Sequence, residues 1–335
     1  MKRIFADLLF ILFIFNILVN AQNSVSASPK NKSAKNTSKL TLKVDTTVEY
    51  LGPKVDLNKY SYSESLYFRI PELGSLKTRE AYQGMAIYGD YMFSLHNKGI
   101  CTVIDLKNRK ILSEFNLACY ATTNHANVAS FGREFYNPQD EFPLLYVSQV
   151  YREKVNNMKD VCYVERVTKN SSELVQTINY KDEKGTFGYA LQWVVDVKNG
   201  YLYGFGNTIS NAVEGNRHRI TKFKLPALSD NDSNKMVTLT EADVIESYTL
   251  EDYYNGREKL LVGQGLLICN GKLFLPTGIG DATRPASLWI VDLDSRRINS
   301  VIDLSYIKKE PEDCDVYQGS LIMQCNGGDV YKFTF

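Results

Sequence analysis

From residue 83 onward the apolar positions do not follow a helical period. They fall into short runs of about six residues, broken by turns that contain Gly, and the runs repeat. Each unit opens on a Gln or Glu, continues as a strand-length apolar run, turns at a Gly and returns as a second apolar run. Copies begin at Gln83, Gln192, Gln264 and Glu312 and turn at Gly89, Gly200, Gly271 and Gly319. A degenerate copy occupies residues 124–132, with His125 and Asn127 near its start, and its second run, 143–147, follows an insertion. Continuous runs of Val, Ile, Leu, Tyr and Phe that are too short for helices predict buried strands. A third and usually a fourth run follow each pair, as at 101–106 with 111–115 and at 287–292 with 298–302. The third ends at an Asp followed by a polar turn with a basic residue, which is hairpin chemistry.

Four strands in each stretch of about 45–70 residues predict the blades of a β-propeller. The expected fold is all-β: five four-stranded antiparallel blades. The last unit ends at its third strand, 330–335, and an orphan strand, 65–70, precedes the first repeat. Pairing these two closes the ring and removes an exposed sheet edge. Six blades would require residues 41–62 to supply most of a blade, and only 40–44 and 47–50 have strand character there.

The N-terminal region reads differently. Lys2 and Arg3 precede an apolar stretch, 8–19, and Val19 and Ala21 stand where a signal peptidase reads small residues. Residues 1–21 are therefore expected to be a signal peptide, which makes the protein exported: periplasmic, cell-surface or secreted. A retained anchor is the rival reading, but the apolar stretch is about 12 residues where a span needs about 20. No membrane insertion is expected after cleavage. Residues 22–45, rich in Asn, Ser and Lys, are expected to be a flexible linker, and 46–335 a single propeller domain.

Charge then narrows the partners. With 39 Lys and Arg against 38 Asp and Glu the chain has no basic excess, and removing residues 1–21 leaves it formally neutral. No nucleic-acid partner is thereby expected. The excess of Tyr (22) and Phe (16) over Trp (2) agrees with a strand-rich fold. A monomer is expected.

The recurring Gln-Gly inner strand and the blade count resemble, over residues 65–335, secreted five-bladed propellers of the glutaminyl cyclotransferase type and the related YncE-like repeat proteins. The resemblance implies an acidic group in the channel, for which Glu312 is the positional counterpart. The other acidic and Trp-containing motifs of the cyclotransferases have no match in this chain.

Propeller geometry turns the repeats into a map. Loops before the first strand and loops between the second and third share one face. The first kind places Gln83, His125 or Asn127, Gln192, Gln264 and Glu312 around one mouth of the channel, one group per blade, able to orient a polar ligand or hold water. The second kind adds His96, the insertion containing Arg152, the loop carrying Arg217 and His218, Arg284, and the turn 326–329. All three His are expected on this face, and Arg152, Arg217 and Arg284 are expected to make it mildly cationic, suited to a carboxylate or phosphate. Solvated loop charge is the plainer account of the arginines.

Other chemistry is thinner. Glu310, Glu312, Asp313 and Asp315 are dense enough in oxygens to consider Ca²⁺, but strand alternation sends neighbours to opposite sides. His125 lacks companions for a zinc site, so no resident metal is assigned. No nucleophile elbow, zinc-protease or phosphate-loop motif occurs. Of six Cys, Cys314 and Cys325 lie on strands joined by one turn and form a disulfide candidate; Cys101, Cys162 and Cys269 read as buried apolar residues. The function expected is a binding module holding a small polar molecule, glycan or peptide at one channel mouth. One alternative is a glutaminyl cyclotransferase-like enzyme with Glu312 as general acid and base. Another is a protein-interaction scaffold using the aromatic loop 134–142.

Overall fold

The computed structural model describes residues 43–44, 63–74, 76, 81–150, 159–181, 188–209, 216–250 and 263–335, all within the compact unit Leu42–Phe335. The proposed signal peptide, nearly all of the proposed linker, Arg152 and most of the loop before Arg217 lie outside the described residues.

The fold is a five-bladed β-propeller. Blade one is Tyr82–Tyr88, Tyr91–His96, Ile100–Asp105 and Lys110–Asn116. Blade two is Ala126–Phe131, Leu145–Gln149, Cys162–Val167 and Ser172–Tyr180. Blade three is Tyr189–Asp196, Tyr201–Asn207, His218–Lys224 and Val244–Thr249. Blade four is Leu267–Cys269, Lys272–Thr277, Ser287–Asp292 and Arg297–Asp303. Blade five is Pro311–Tyr317, Ser320–Cys325 and Asp329–Thr334, completed by Ser63–Arg69 from the other end of the chain. Ser63 pairs with Thr334 and Arg69 with Asp329, so the expected closure is present.

The burial patterns explain the sequence pattern. Inner strands such as Tyr82–Tyr88 are buried at nearly every position because they pack on both faces, whereas outer strands such as Lys110–Asn116 and Val244–Thr249 alternate. The apolar core is accordingly divided into clusters between adjacent blades. Trp193 packs with Val164 and Phe223 between blades two and three, and Trp289 with Phe205 and Ile268 between blades three and four. Outer hairpins turn through aspartate. Asp105 accepts from the Asn108 backbone at 2.9 Å and Asp292 from that of Ser295 at 2.7 Å, while Arg109 and Arg296 take the left-handed position (φ 49° and 60°).

Three features depart from expectation. Met236–Leu239, from the connection between the last two strands of blade three, adds a parallel fifth strand beside Ser172–Tyr180 and ties blade three to blade two. Lys43–Val44, inside the segment expected to be linker, pairs with Glu134–Phe135. The candidate disulfide is absent. The turn that pairs Tyr317 with Ser320 sets Cys314 opposite Met323, a bulge between Pro311 and Asp313 puts Cys325 opposite Pro311, and all six cysteines are free and buried.

Candidate functional site

The inner strands begin at one mouth of the channel, and there the side chains of four blades form a connected polar network. The carbonyl of Gln264 accepts from Gln192 Nε2 at 2.7 Å and from Asn127 Nδ2 at 3.4 Å. Gln264 Nε2 in turn donates to Glu310 Oε1 at 2.6 Å and to the Gly278 carbonyl at 3.0 Å. Glu310 Oε2 accepts from Asn326 Nδ2 at 3.4 Å. Glu312, 1% exposed, shares a hydrogen bond with Glu310 and receives another from Asn326. Blades two, three, four and five thus each contribute a group. Beside the network, the Gln83 carbonyl of blade one accepts from Gln324 Nε2 of blade five at 2.9 Å.

Electrostatics set the state of the network. Burial, reinforced by the neighbouring charges of Glu310 and Asp313, pushes the Glu312 carboxyl well above the usual carboxylate range. Glu312 is thereby biased toward its protonated form beside Glu310. His125 sits within reach of the Glu310 charge; burial lowers its pKa, and that charge opposes the lowering. Glu312, Gln264 and His125 thus share Glu310 as a common neighbour. Three buried acceptor oxygens among the described residues, Asn127 Oδ1, Gln192 Oε1 and Glu312 Oε1, have no donor. Leaving a buried acceptor without a donor costs about 1–3 kcal/mol, which marks this mouth as a place where N–H or O–H groups are wanted.

One residue beyond Glu312 on the same strand, Asp313 reaches the backbones of four blades. Its Oδ2 accepts from the backbone N–H of Met85 at 2.8 Å and of Ala129 at 3.1 Å, and its Oδ1 from those of Leu266 and Cys314, both at 3.0 Å. Burial pushes this carboxyl upward, and the four donors from four blades pull against it. The Gln-Gly signature gains a physical reason here. A Cβ on Gly265 would stand 2.3 Å from Asp313 Oδ1 and 2.4 Å from the Glu312 carbonyl, and one on Gly84 would stand 3.0 Å from the backbone of Val128. Glycine at those positions lets inner strands approach across the channel.

Several expected members of the site are not at the network. His96 is fully buried, packed in a tilted contact against Tyr82 with ring centres 4.5 Å apart and 3.3 Å from Thr102 Oγ1. His218 is buried against Phe205 and Trp289, 3.2 Å from Asn207 Oδ1, and burial lowers its pKa to about 3, so it is a neutral core residue. Arg284 reaches Asp281 at 3.1 Å on an exposed loop, and Arg217 donates to the Asn216 carbonyl at 2.8 Å. The network is built of amides and carboxyls, and the expected cationic character is not found in it. The acid-rich run is also spread out: Asp313 is taken up by four backbone N–H groups and Asp315 by two, from Ile87 and Val316. No three His, Cys, Asp or Glu among the described residues are grouped as a metal site would require. In the aromatic loop Phe135 and Phe142 are 1% and 2% exposed and pack with Tyr88, while the half-buried Tyr136 ring carries the Arg166 guanidinium over it at 5.3 Å.

Gln324 was not singled out from sequence, Glu310 and Asp313 entered only through the acid-rich run and Asn326 only through the turn 326–329; none was expected as a network residue. Glu310 lies two positions before Glu312, the spacing at which a strand repeats a face, and that was the available signal.

No family model matches the chain, and no curated protein matches it. Among solved structures it is similar to glutaminyl cyclase of Myxococcus xanthus, at 11% identity and TM-score 0.44 over 82% of this chain and 94% of that one. It is similar also to BamB of Moraxella catarrhalis, at 11% identity and TM-score 0.30 over 75% and 62%, and to the computationally designed Ika8 protein, at 9% and 0.32 over 78% and 74%. At these values the likenesses bear on neither ligand nor chemistry. What is established is the five-bladed propeller fold.

Proposed function

We propose that this protein is an exported binding module whose strand-start channel mouth holds a small polar molecule, glycan or peptide that presents N–H or O–H donors. The observation that carries this reading is the set of three buried, donorless oxygens on Asn127, Gln192 and Glu312, linked by Gln264 and Glu310. A ligand that supplies those donors recovers hydrogen bonds that the free protein lacks, which favours binding and selects against ligands without them. Export rests on the signal-peptide pattern of residues 1–21.

The test is binding of the chain to a glycan array and to an array of peptides with free N-termini. A ligand whose affinity falls at least tenfold in Gln192→Leu and Asn127→Leu, and is retained in Arg284→Ala, supports the reading. No ligand on either array, or one lost in Arg284→Ala and indifferent to Gln192→Leu, overturns it.

A second reading has its own support. Glu312, its carboxyl pushed upward by burial and hydrogen-bonded to Glu310, forms a carboxyl pair of the kind that moves a proton during amide chemistry. Under the glutaminyl cyclotransferase-like reading, the chain would cyclise an N-terminal glutaminyl peptide with release of ammonia, and Glu312→Gln would abolish turnover. Absence of ammonia release by the wild type excludes it.

A further inference from the structure

A cavity lies at the opposite mouth, where the inner strands end. It has a volume of about 710 Å³ and takes its lining from the inner strands of all five blades. That size is within the range of small-molecule sites, roughly 300–1,000 Å³. The strand-start network contributes no side chain to it, and Asp313, with its four backbone hydrogen bonds, stands between the two mouths.

The chemistry of the lining is one-sided. Its walls are apolar, with Val194, Val195, Leu267 and Phe131, and its charged members are two carboxylates, Asp90 and Asp315, with no Lys, Arg or His. Asp315 is 8% exposed. Its oxygens accept from the backbone N–H of Ile87 at 2.6 Å and of Val316 at 2.7 Å, which fixes the carboxyl and leaves each oxygen a further lone pair. Asp90 is fixed as well: the Tyr317 hydroxyl donates to it at 2.9 Å, and Gln318 Nε2 donates to that hydroxyl at 3.1 Å. Two oriented acids at an apolar cavity without a cation match a ligand with one positive end and an apolar body.

We infer that the strand-end cavity is a second binding site, for a small organic ammonium ion whose charge meets Asp315 and Asp90 and whose apolar body lies against the valine wall. The ammonium can belong to a free amine or to the N-terminus of a peptide. Burial pushes the Asp315 carboxyl up to about 7, so its anion lacks a counter-charge that such a ligand supplies. The site is independent of the strand-start reading and stands or falls without it.

Titration calorimetry of the full chain at pH 8 tests it, with phenethylammonium as the free amine and Phe-Gly-Gly as the peptide arm. The controls are 2-phenylethanol, neutral, and 3-phenylpropionate, anionic. The expected result is saturable binding of an ammonium probe, at least tenfold tighter than either control. It should weaken at least tenfold in Asp315→Asn and at least threefold in Asp90→Asn, with no change in the charge-matched surface variant Asp294→Asn. Tighter binding of Phe-Gly-Gly than of phenethylammonium identifies a peptide terminus as the source, and the reverse order a free amine. Asp90→Asn, at a half-exposed turn position, keeps the test decisive if Asp315→Asn does not fold. Equal binding of the neutral probe, binding indifferent to both Asp variants, or no binding of either ammonium overturns the inference.

Discussion

The carboxylate of Asp313, in the last blade, accepts a 2.8 Å hydrogen bond from the backbone N–H of Met85, in the first blade, across 228 residues of sequence. The same carboxylate takes backbone donors from Ala129 and Leu266, so one side chain of blade five serves the inner strands of blades one, two and four. Inner strands of a propeller pair outward with their own blade, and their channel-facing N–H groups need another acceptor. In this chain Asp313 supplies it.

Asp313→Ala should therefore be among the most destabilising single substitutions. It strands four backbone donors that each cost about 1–3 kcal/mol when left unmet, with water recovering part of the loss. A loss of about 4 kcal/mol or more, or failure to fold, is expected by urea denaturation. Asp313→Asn, which keeps one acceptor oxygen, should lose about 2–4 kcal/mol. A change below 1 kcal/mol in both would show that the four bonds contribute little net stability.

Gly265→Ala tests the same junction from the other side. The added methyl meets Asp313 and the Glu312 carbonyl within 2.4 Å, so the inner strands must separate. Overpacking of this kind costs about 1–3 kcal/mol, occasionally more, and backbone atoms give less readily than side chains. Gly271→Ala, with no atom within 4 Å and only its positive φ to strain it, should cost about 1 kcal/mol. Thermal melts of the two variants should rank in that order.

The thiols give a count. All six cysteines are free and buried, and burial pushes the Cys101, Cys119, Cys162, Cys269, Cys314 and Cys325 thiols upward. The native protein should react slowly with a disulfide reagent at pH 8, and all six should titrate in guanidinium without reductant. Four thiols instead of six would indicate a disulfide.

Asp315 makes stability depend on pH. Its pKa is 3.8 at reference and about 7 in the fold, first through burial, with backbone donors at Ile87 and Val316 opposing. Between pH 4 and 7 the folded state holds more of this proton than the unfolded state. The contribution is therefore fully present below pH 4, falls as pH rises through that window and is flat above 7, a change of roughly 4 kcal/mol. Asp315→Asn lacks this titration. Its deficit against wild type, measured by urea denaturation, should be largest at pH 4 and should shrink by pH 8. An unchanged gap would place the Asp315 pKa near its ordinary value.

What the sequence determined by itself was local and periodic. Continuous apolar runs marked inner strands because those strands are buried on both faces, and Asp-turn-basic segments marked outer hairpins because an aspartate can cap its own turn, as Asp105 and Asp292 do. Five such units plus one orphan strand sufficed for the blade count and the closure of Ser63–Arg69 on Asp329–Thr334. The polar residue opening each repeat, such as Gln192 or Gln264, was legible for the same reason: equivalent positions in a ring arrive at the same mouth. The tertiary structure alone decided which groups meet there. Glu310 joins Gln264 to Glu312 from a position outside the repeat pattern, His96 and His218 turn into the core, and Arg284 turns to Asp281. The turn register of the last blade sets Cys314 opposite Met323 and away from Cys325, and Met236–Leu239 crosses to a neighbouring blade. These outcomes depend on side-chain direction and on contacts between distant segments, such as Asp313 with Met85, which exist only after the ring has closed.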